Sequence, residues 1–176
     1  LVNTIATGAG LFVLITAFAN ISGAHLNPFV SLSMYLTKRI KGKELLTFIP
    51  AQILGCLLGV MLANVFFEHS IIELSAKNRD GFHIFLSEIV ATFGLIFIIF
   101  ATLKDGKTTV AACVATYISA GYWFTSSTSF ANPAVAIART FTDSFTGINY
   151  LNTPTYIFAE LLGAIVAIYI IKRLIK

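Results

Sequence analysis

The feature that most limits what this chain can become is the length of its uncharged runs. Residues 1–37, 45–67 and 108–138 contain no Asp, Glu, Lys or Arg, and 144–171 contains only Glu160. Crossing the hydrocarbon core of a bilayer takes ~20 mostly apolar residues in a row. A soluble domain, ~25% charged and ~45–50% apolar, breaks such runs often. This chain is 11% charged and 57% apolar. With 176 residues it is also too short to hide that much apolar surface in one aqueous core. It therefore reads as an all-α, multi-pass membrane protein whose first partner is the lipid bilayer.

The net charge of +4 is placed, not spread. Nine of the twelve basic residues fall in three short segments: Lys38, Arg39, Lys41 and Lys43; Lys104 and Lys107; and Lys172, Arg173 and Lys176. The segment 68–82 balances Glu68, Glu73 and Asp80 against Lys77 and Arg79. The positive-inside rule puts the three basic segments, and with them the C-terminus, on the cytoplasmic side of the cell membrane, and 68–82 outside. No aromatic-interleaved basic groove accompanies them, which argues against a nucleic-acid partner. Cys56 and Cys113 sit in apolar helical runs and read as packing residues. Their spacing supports neither a disulfide nor a metal pair.

Five stretches have the length and pattern of full helices: 1–20, 44–67, 83–103, 108–125 and 153–174. Two segments between them are different. Each opens with small polar residues, then shows Asn-Pro, then an apolar run of about ten residues, too short to span. Asn is a favoured helix N-cap, and Pro suits the first helical position, where its missing N–H costs nothing. Asn27-Pro28 and Asn132-Pro133 therefore predict short helices over 27–36 and 132–141. A half-length helix led by irregular backbone is tolerated in a membrane only inside protein or along a watery cavity.

The two half-helices are 105 residues apart, which suggests a duplicated unit. Ala51-Gln52-Ile53-Leu54-Gly55 matches Ala159-Glu160-Leu161-Leu162-Gly163 at an offset of 108. Each match opens a row of small residues: Ala51, Gly55, Gly59 and Ala63 in one helix, and Ala159, Gly163 and Ala167 in the other. Such rows let helices approach closely in lipid. With the basic segments inside, the half-helix at 27 dips in from the cytoplasm and that at 132 from outside. The repeats are then inverted, a design that places function at the midplane. Residues 1–176 form one domain, with 1–67 an incomplete first repeat and 83–176 the second. Helix 83–103 has no counterpart in the first repeat, so the pattern expects a helix of ~25–30 residues before residue 1.

Ser22-Gly23-Ala24-His25-Leu26-Asn27-Pro28 resembles the first signature of the aquaporin, or major intrinsic protein, family. Ser129-Phe130-Ala131-Asn132-Pro133-Ala134 resembles the second, and the likeness extends over the whole chain. It implies an aquaporin-like bundle of five full helices, with the family's first absent, plus two re-entrant half-helices capped by Asn27, Pro28, Phe29, Asn132, Pro133 and Ala134. It implies a homotetramer with one pore per protomer and small neutral solutes as the passengers. It also implies pore carbonyls from Ser22, Gly23, Ala24 and His25 on the inner side, and from Thr128, Ser129 and Phe130 on the outer side. The physics agrees: each half-helix N-terminus carries about +0.5 elementary charge, and the pair repels cations and protons at the midplane. The Asn27 and Asn132 amides can donate to a passing oxygen.

Glu88, an ionisable group within a membrane helix, is a functional flag. By resemblance it anchors the backbone N–H groups of the outer re-entrant loop; the alternative is a proton relay. Gln52 and Glu160 read as packing or interface polars. His25 has two readings, an orienter of the inner loop or a metal ligand or pH gate, and the first is favoured for want of a second ligand nearby.

Two departures from the family pattern stand out. The inner motif is Asn-Pro-Phe, and Phe29 either packs on a neighbouring helix, the favoured reading, or narrows the pore. The outer motif is followed by Val135 where most members carry a filter Arg. Carrying over the other filter positions gives Thr7, Ala120 and Ser129, so the expected filter is wide, uncharged and weakly polar. Arg139 lies one turn further out and is expected to hold the outer loop, near Asp143. The run Ser126–Val135 resembles a bacterial subgroup without the filter Arg, some members of which are linked to arsenic handling. That implies glycerol-like polyols and neutral metalloid acids such as arsenite beside water.

The leading reading is a passive channel. The alternatives are a secondary transporter that couples through Glu88 and a non-conducting structural membrane protein. No nucleophile–base pair or metal-ligand cluster points to an enzyme, a metal or a cofactor.

Overall fold

A computed structural model describes residues 1–174. Seven α-helices follow in order: α1 (Val2–Phe18), α2 (Pro28–Leu36), α3 (Gly42–Phe66), α4 (Phe82–Thr102), α5 (Lys107–Phe124), α6 (Pro133–Ala138) and α7 (Thr153–Leu174), with short 3-10 turns after α4 and α6. Among the described residues there is no strand. α3, α4 with its 3-10 turn, and α7 are long and apolar enough to cross a membrane. α1 is apolar but only 17 residues long, and α5, at 18, is long enough but not apolar enough, so these two of the five expected spans fall short of that standard. Of the third basic segment, Lys172 and Arg173 close α7, and Lys176 lies outside the described residues.

The two Asn-Pro segments form as their capping chemistry predicts. Asn27 and Asn132 are extended, and each side-chain Oδ1 accepts the N–H two residues on, from Phe29 at 2.9 Å and Ala134 at 3.1 Å. α6 is only six residues long and passes into a 3-10 turn at Arg139–Phe141.

The small-residue rows meet different fates. Ala159, Gly163 and Ala167 are buried. A side chain on Gly163 would run into the backbone of Ile89 and Phe93, so glycine there is what allows α7 to lie against α4. The matching row on α3 is exposed, with open space over Gly55 and Gly59. α1 crosses α5 at Gly8, where a Cβ would strike Ser119. The core gathers Phe29, Val30 and Met34 of α2 with Leu95, Ile96 and Ile99 of α4, Val114 and Ile118 of α5, and Ala164 and Ala167 of α7. Cys56 and Cys113 are half-buried and free.

The segment after α3 is stitched along the outer end of the second re-entrant element. Ser75 N–H donates to Thr140 C=O at 3.0 Å, and Asn149 N–H to Lys77 C=O at 2.8 Å. Arg79 N–H donates to Asn152 Oδ1 at 3.0 Å. Lys77 pairs with Asp143 at 3.1 Å and also donates to its backbone carbonyl. The Lys77 hydrogen bond, helped by Ser75, holds the exposed Asp143 carboxyl below the usual range.

Candidate functional site: a cavity between two re-entrant loops

The N-termini of α2 and α6 meet and bond across. Asn27 Nδ2 donates to Ala131 C=O at 2.6 Å, and Asn132 Nδ2 donates to Leu26 C=O at 2.9 Å. Each amide has two N–H donors. One locks the opposite loop, and the second is left for a passing solute. Both Asn side chains line a cavity of about 1130 Å³.

Four helices make most of its apolar wall, α2 among them with Val30 and Met34. α1 turns Leu11 and Ile15 inward, α4 turns Leu95 and Ile99, and α5 turns Val110, Val114 and Ile118. The spacing of three or four residues puts each set on one helical face. The polar track comes from the re-entrant loops, Ser22 to Asn27 on one side and Thr128 to Phe130 with Asn132 on the other. Gly23, Ala24, Thr128, Ser129 and Ala131 all have positive φ, between 48° and 74°. Glycine adopts this region freely, but the four non-glycine residues in it mark backbone held by its surroundings rather than by its own preference.

What holds the outer loop is a ladder of carboxylate oxygens. Glu88, fully buried on α4, accepts Phe130 N–H at 2.9 Å and Ala131 N–H at 2.7 Å. Glu160, fully buried on α7, accepts Asn132 N–H at 2.9 Å. In a planar trans peptide the N–H and the preceding C=O point opposite ways. With the three N–H groups turned to the wall, the carbonyls of Ser129 and Phe130 face away from it, into the cavity, and that of Ala131 faces Asn27. Glu160 is thus a loop ligand and not the packing polar expected of it.

The same correction applies to Gln52. Its Nε2 donates to His25 C=O and to Ser31 Oγ, the latter at 2.9 Å. Gln52 and Glu160 occupy matching places in the similar sequences Ala51–Gly55 and Ala159–Gly163, but one holds a carbonyl and needs a donor, while the other holds an N–H and needs an acceptor. The His25 ring stands edge-on to Phe48 at 5.4 Å. Among the described residues no three His, Cys, Asp or Glu side chains come together.

Thr7, Ser129 and Val135 line the cavity wall, but Ala120 is exposed and does not. The α5 face that lines the cavity runs Val110, Val114, Ile118, Tyr122. Tyr122 therefore stands there, and its hydroxyl donates to Thr7 Oγ1 at 3.1 Å. Counting from Asn132 points to Ala120, off the cavity wall, whereas the four-residue row leads to Tyr122 on it. Phe29 packs in the core and is not on the cavity wall. Two cations also line the mouth, so the wall is not uncharged. Arg139 bonds to Thr146 Oγ1 and not to Asp143, which Lys77 has taken. Arg79, from the loop after α3, was not foreseen, because a loop residue has no periodicity to betray its direction.

Paired Asn-capped half-helices between apolar spans, closing on a polar-tracked cavity, define a membrane channel and not an enzyme. The model of the major intrinsic protein family matches residues 1–122, and the chain belongs to that family, whose members are channels for water and small solutes. The chain is 45% identical over 174 residues to the aquaglyceroporin AqpS of Rhizobium meliloti (strain 1021), covering 99% of this chain and 75% of that protein. It is 27% identical over 169 residues to bovine and human Aquaporin-4, covering 91% of this chain and 52% of each. The chain thus spans about half the length of these two aquaporins.

Proposed function

We propose that the protein is a passive channel that carries solutes larger than water, glycerol-like polyols and neutral metalloid acids such as arsenite, as well as water itself. The observation that carries this reading is Val135 on the cavity wall, directly after Asn132-Pro133-Ala134. A short apolar side chain there leaves room that a long arginine would fill. The name of AqpS, an aquaglyceroporin, points the same way. A hydroxylated solute would exchange its water for loop carbonyls and the free Asn27 and Asn132 donors, between apolar walls. The two helix dipoles, each about +0.5 elementary charge, would repel cations at their meeting point.

In this reading residues 1–176 belong to one domain of two inverted repeats, the basic segments and the C-terminus face the cytoplasm of the cell membrane, and four protomers assemble. Glu88 acts as an anchor: both its oxygens are used by backbone N–H groups, and it is not on the cavity wall, where a coupling proton would have to reach it. The test is glycerol and arsenous acid flux into proteoliposomes of the full-length protein. Wild type should pass both, and Val135→Arg should cut glycerol flux at least tenfold while water flux falls less. Strict water selectivity in wild type would overturn the reading.

A further inference from the structure

The loop after α3 carries an arginine to the mouth of the cavity. Arg79 Nη2 donates to Ser127 C=O at 2.7 Å and Thr128 Oγ1 at 3.2 Å, and its guanidinium lies 5.3 Å from the centre of the Phe130 ring. Its backbone is fixed by Asn152. Arg139 lines the same cavity and is tied to Thr146 Oγ1. The acids of this region turn to other partners, and Glu68 is exposed with no side-chain partner among the described residues. Asp143 pairs with Lys77, Glu73 with His69, and Asp80 accepts the Gly81 N–H. Among the described residues neither Arg79 nor Arg139 pairs with a carboxylate.

Two half-buried guanidinium groups with unpaired N–H donors, held by neutral acceptors, line this cavity; its one carboxylate, Glu44, sits at the start of α3 and accepts the Lys41 N–H. A guanidinium presents five donors in a planar fork and matches the oxygens of carboxylates and phosphates. We propose that Arg79 and Arg139 form an oxyanion-binding site at the outer mouth, so that the charge missing at Val135 is supplied from the loop, and small oxyacids are gathered at the pore in their ionised form. The inference rests on the channel reading only for its consequence; the binding itself does not require conduction.

Trp123, the chain's single tryptophan, lines the same cavity and reports on it. The full-length protein in detergent is titrated with inorganic phosphate at constant ionic strength, and tryptophan fluorescence is followed. Wild type should show saturable binding. Arg79→Gln should weaken it by about tenfold or more, the loss of one charge-assisted pair. Arg79→Lys should fall between, keeping the charge but losing the fork. Lys104→Gln, exposed at the far end, should match wild type. If Arg79→Gln does not fold, Arg139→Gln is read by the same standard. No saturable binding in wild type, or equal binding in the arginine variants, overturns the proposal. Glycerol flux measured in parallel without phosphate tests the channel separately, and phosphate added outside should slow it in wild type but not in Arg79→Gln.

Discussion

Replacing Glu88 by Gln changes one oxygen for an NH₂ group in a side chain of the same shape. Both Glu88 oxygens are in use, at 2.9 and 2.7 Å from Phe130 and Ala131 N–H. Whichever way the amide turns, one N–H loses its acceptor and faces another donor, at a site with no access to water. A hydrogen bond to a charged group contributes about 1.5–3 kcal/mol, and leaving its buried partner unpaired costs a similar amount. For a chain of this size 1 kcal/mol moves the melting temperature by roughly 2–4 °C, so a fall of roughly 5–10 °C is expected. The equivalent change on α7 should behave differently. Glu160 uses only one oxygen, for Asn132 N–H, and its Oε2 has no partner. Glu160→Gln can keep its acceptor for Asn132 N–H and turn its NH₂ toward the neighbouring Glu88 carboxylate, so it should shift melting by no more than a degree or two. Thermal unfolding of the full-length protein in detergent, with glycerol flux in vesicles, reads both. Equal shifts for the two variants would refute the carboxylate ladder. Flux that follows a proton gradient in wild type and loses that coupling in Glu88→Gln would refute the channel.

Asn132→Asp removes the donor that holds Leu26 C=O and puts an anion where the two helix dipoles meet. Vesicles carrying it should leak protons, as read by an internal pH dye, while wild type stays tight. Gln52→Glu sets an acceptor against the His25 carbonyl, while the Ser31 hydroxyl can turn to donate. It should destabilise the inner loop by about 1–3 kcal/mol and lower flux, whereas a Glu is tolerated at the matching position 160. The Lys77–Asp143 anchor depends on an ionised Asp143, whose pKa is depressed in the fold. Its contribution is therefore present above the unfolded-state value and is lost as pH falls through the lower folded value. Hydrogen exchange at residues 75–79 should stay slow at neutral and mildly acid pH and quicken only in stronger acid, and Lys77→Gln should remove that dependence.

Sequence alone determined the elements, because each rests on a local rule. Uncharged length gave the membrane class, and Asn-Pro gave both half-helix starts. The chemistry of a cap lies within three residues, so Asn27 with Phe29 and Asn132 with Ala134 were legible without a fold. Tertiary structure decided everything that depends on which group meets which across the chain. Gln52 and Glu160 looked like interface polars until packing set them against a carbonyl and an N–H 27 and 28 residues away. Ala120 and Tyr122 differ by two positions, and only the contact of α5 with α1 turned the second toward Thr7. Arg79 lies in an irregular segment whose direction is fixed by bonds to residues 48 and 73 positions further on. Loop direction is set by such long-range partners, which a one-dimensional pattern does not encode, and so the charge at the mouth of this pore became visible only in the folded molecule.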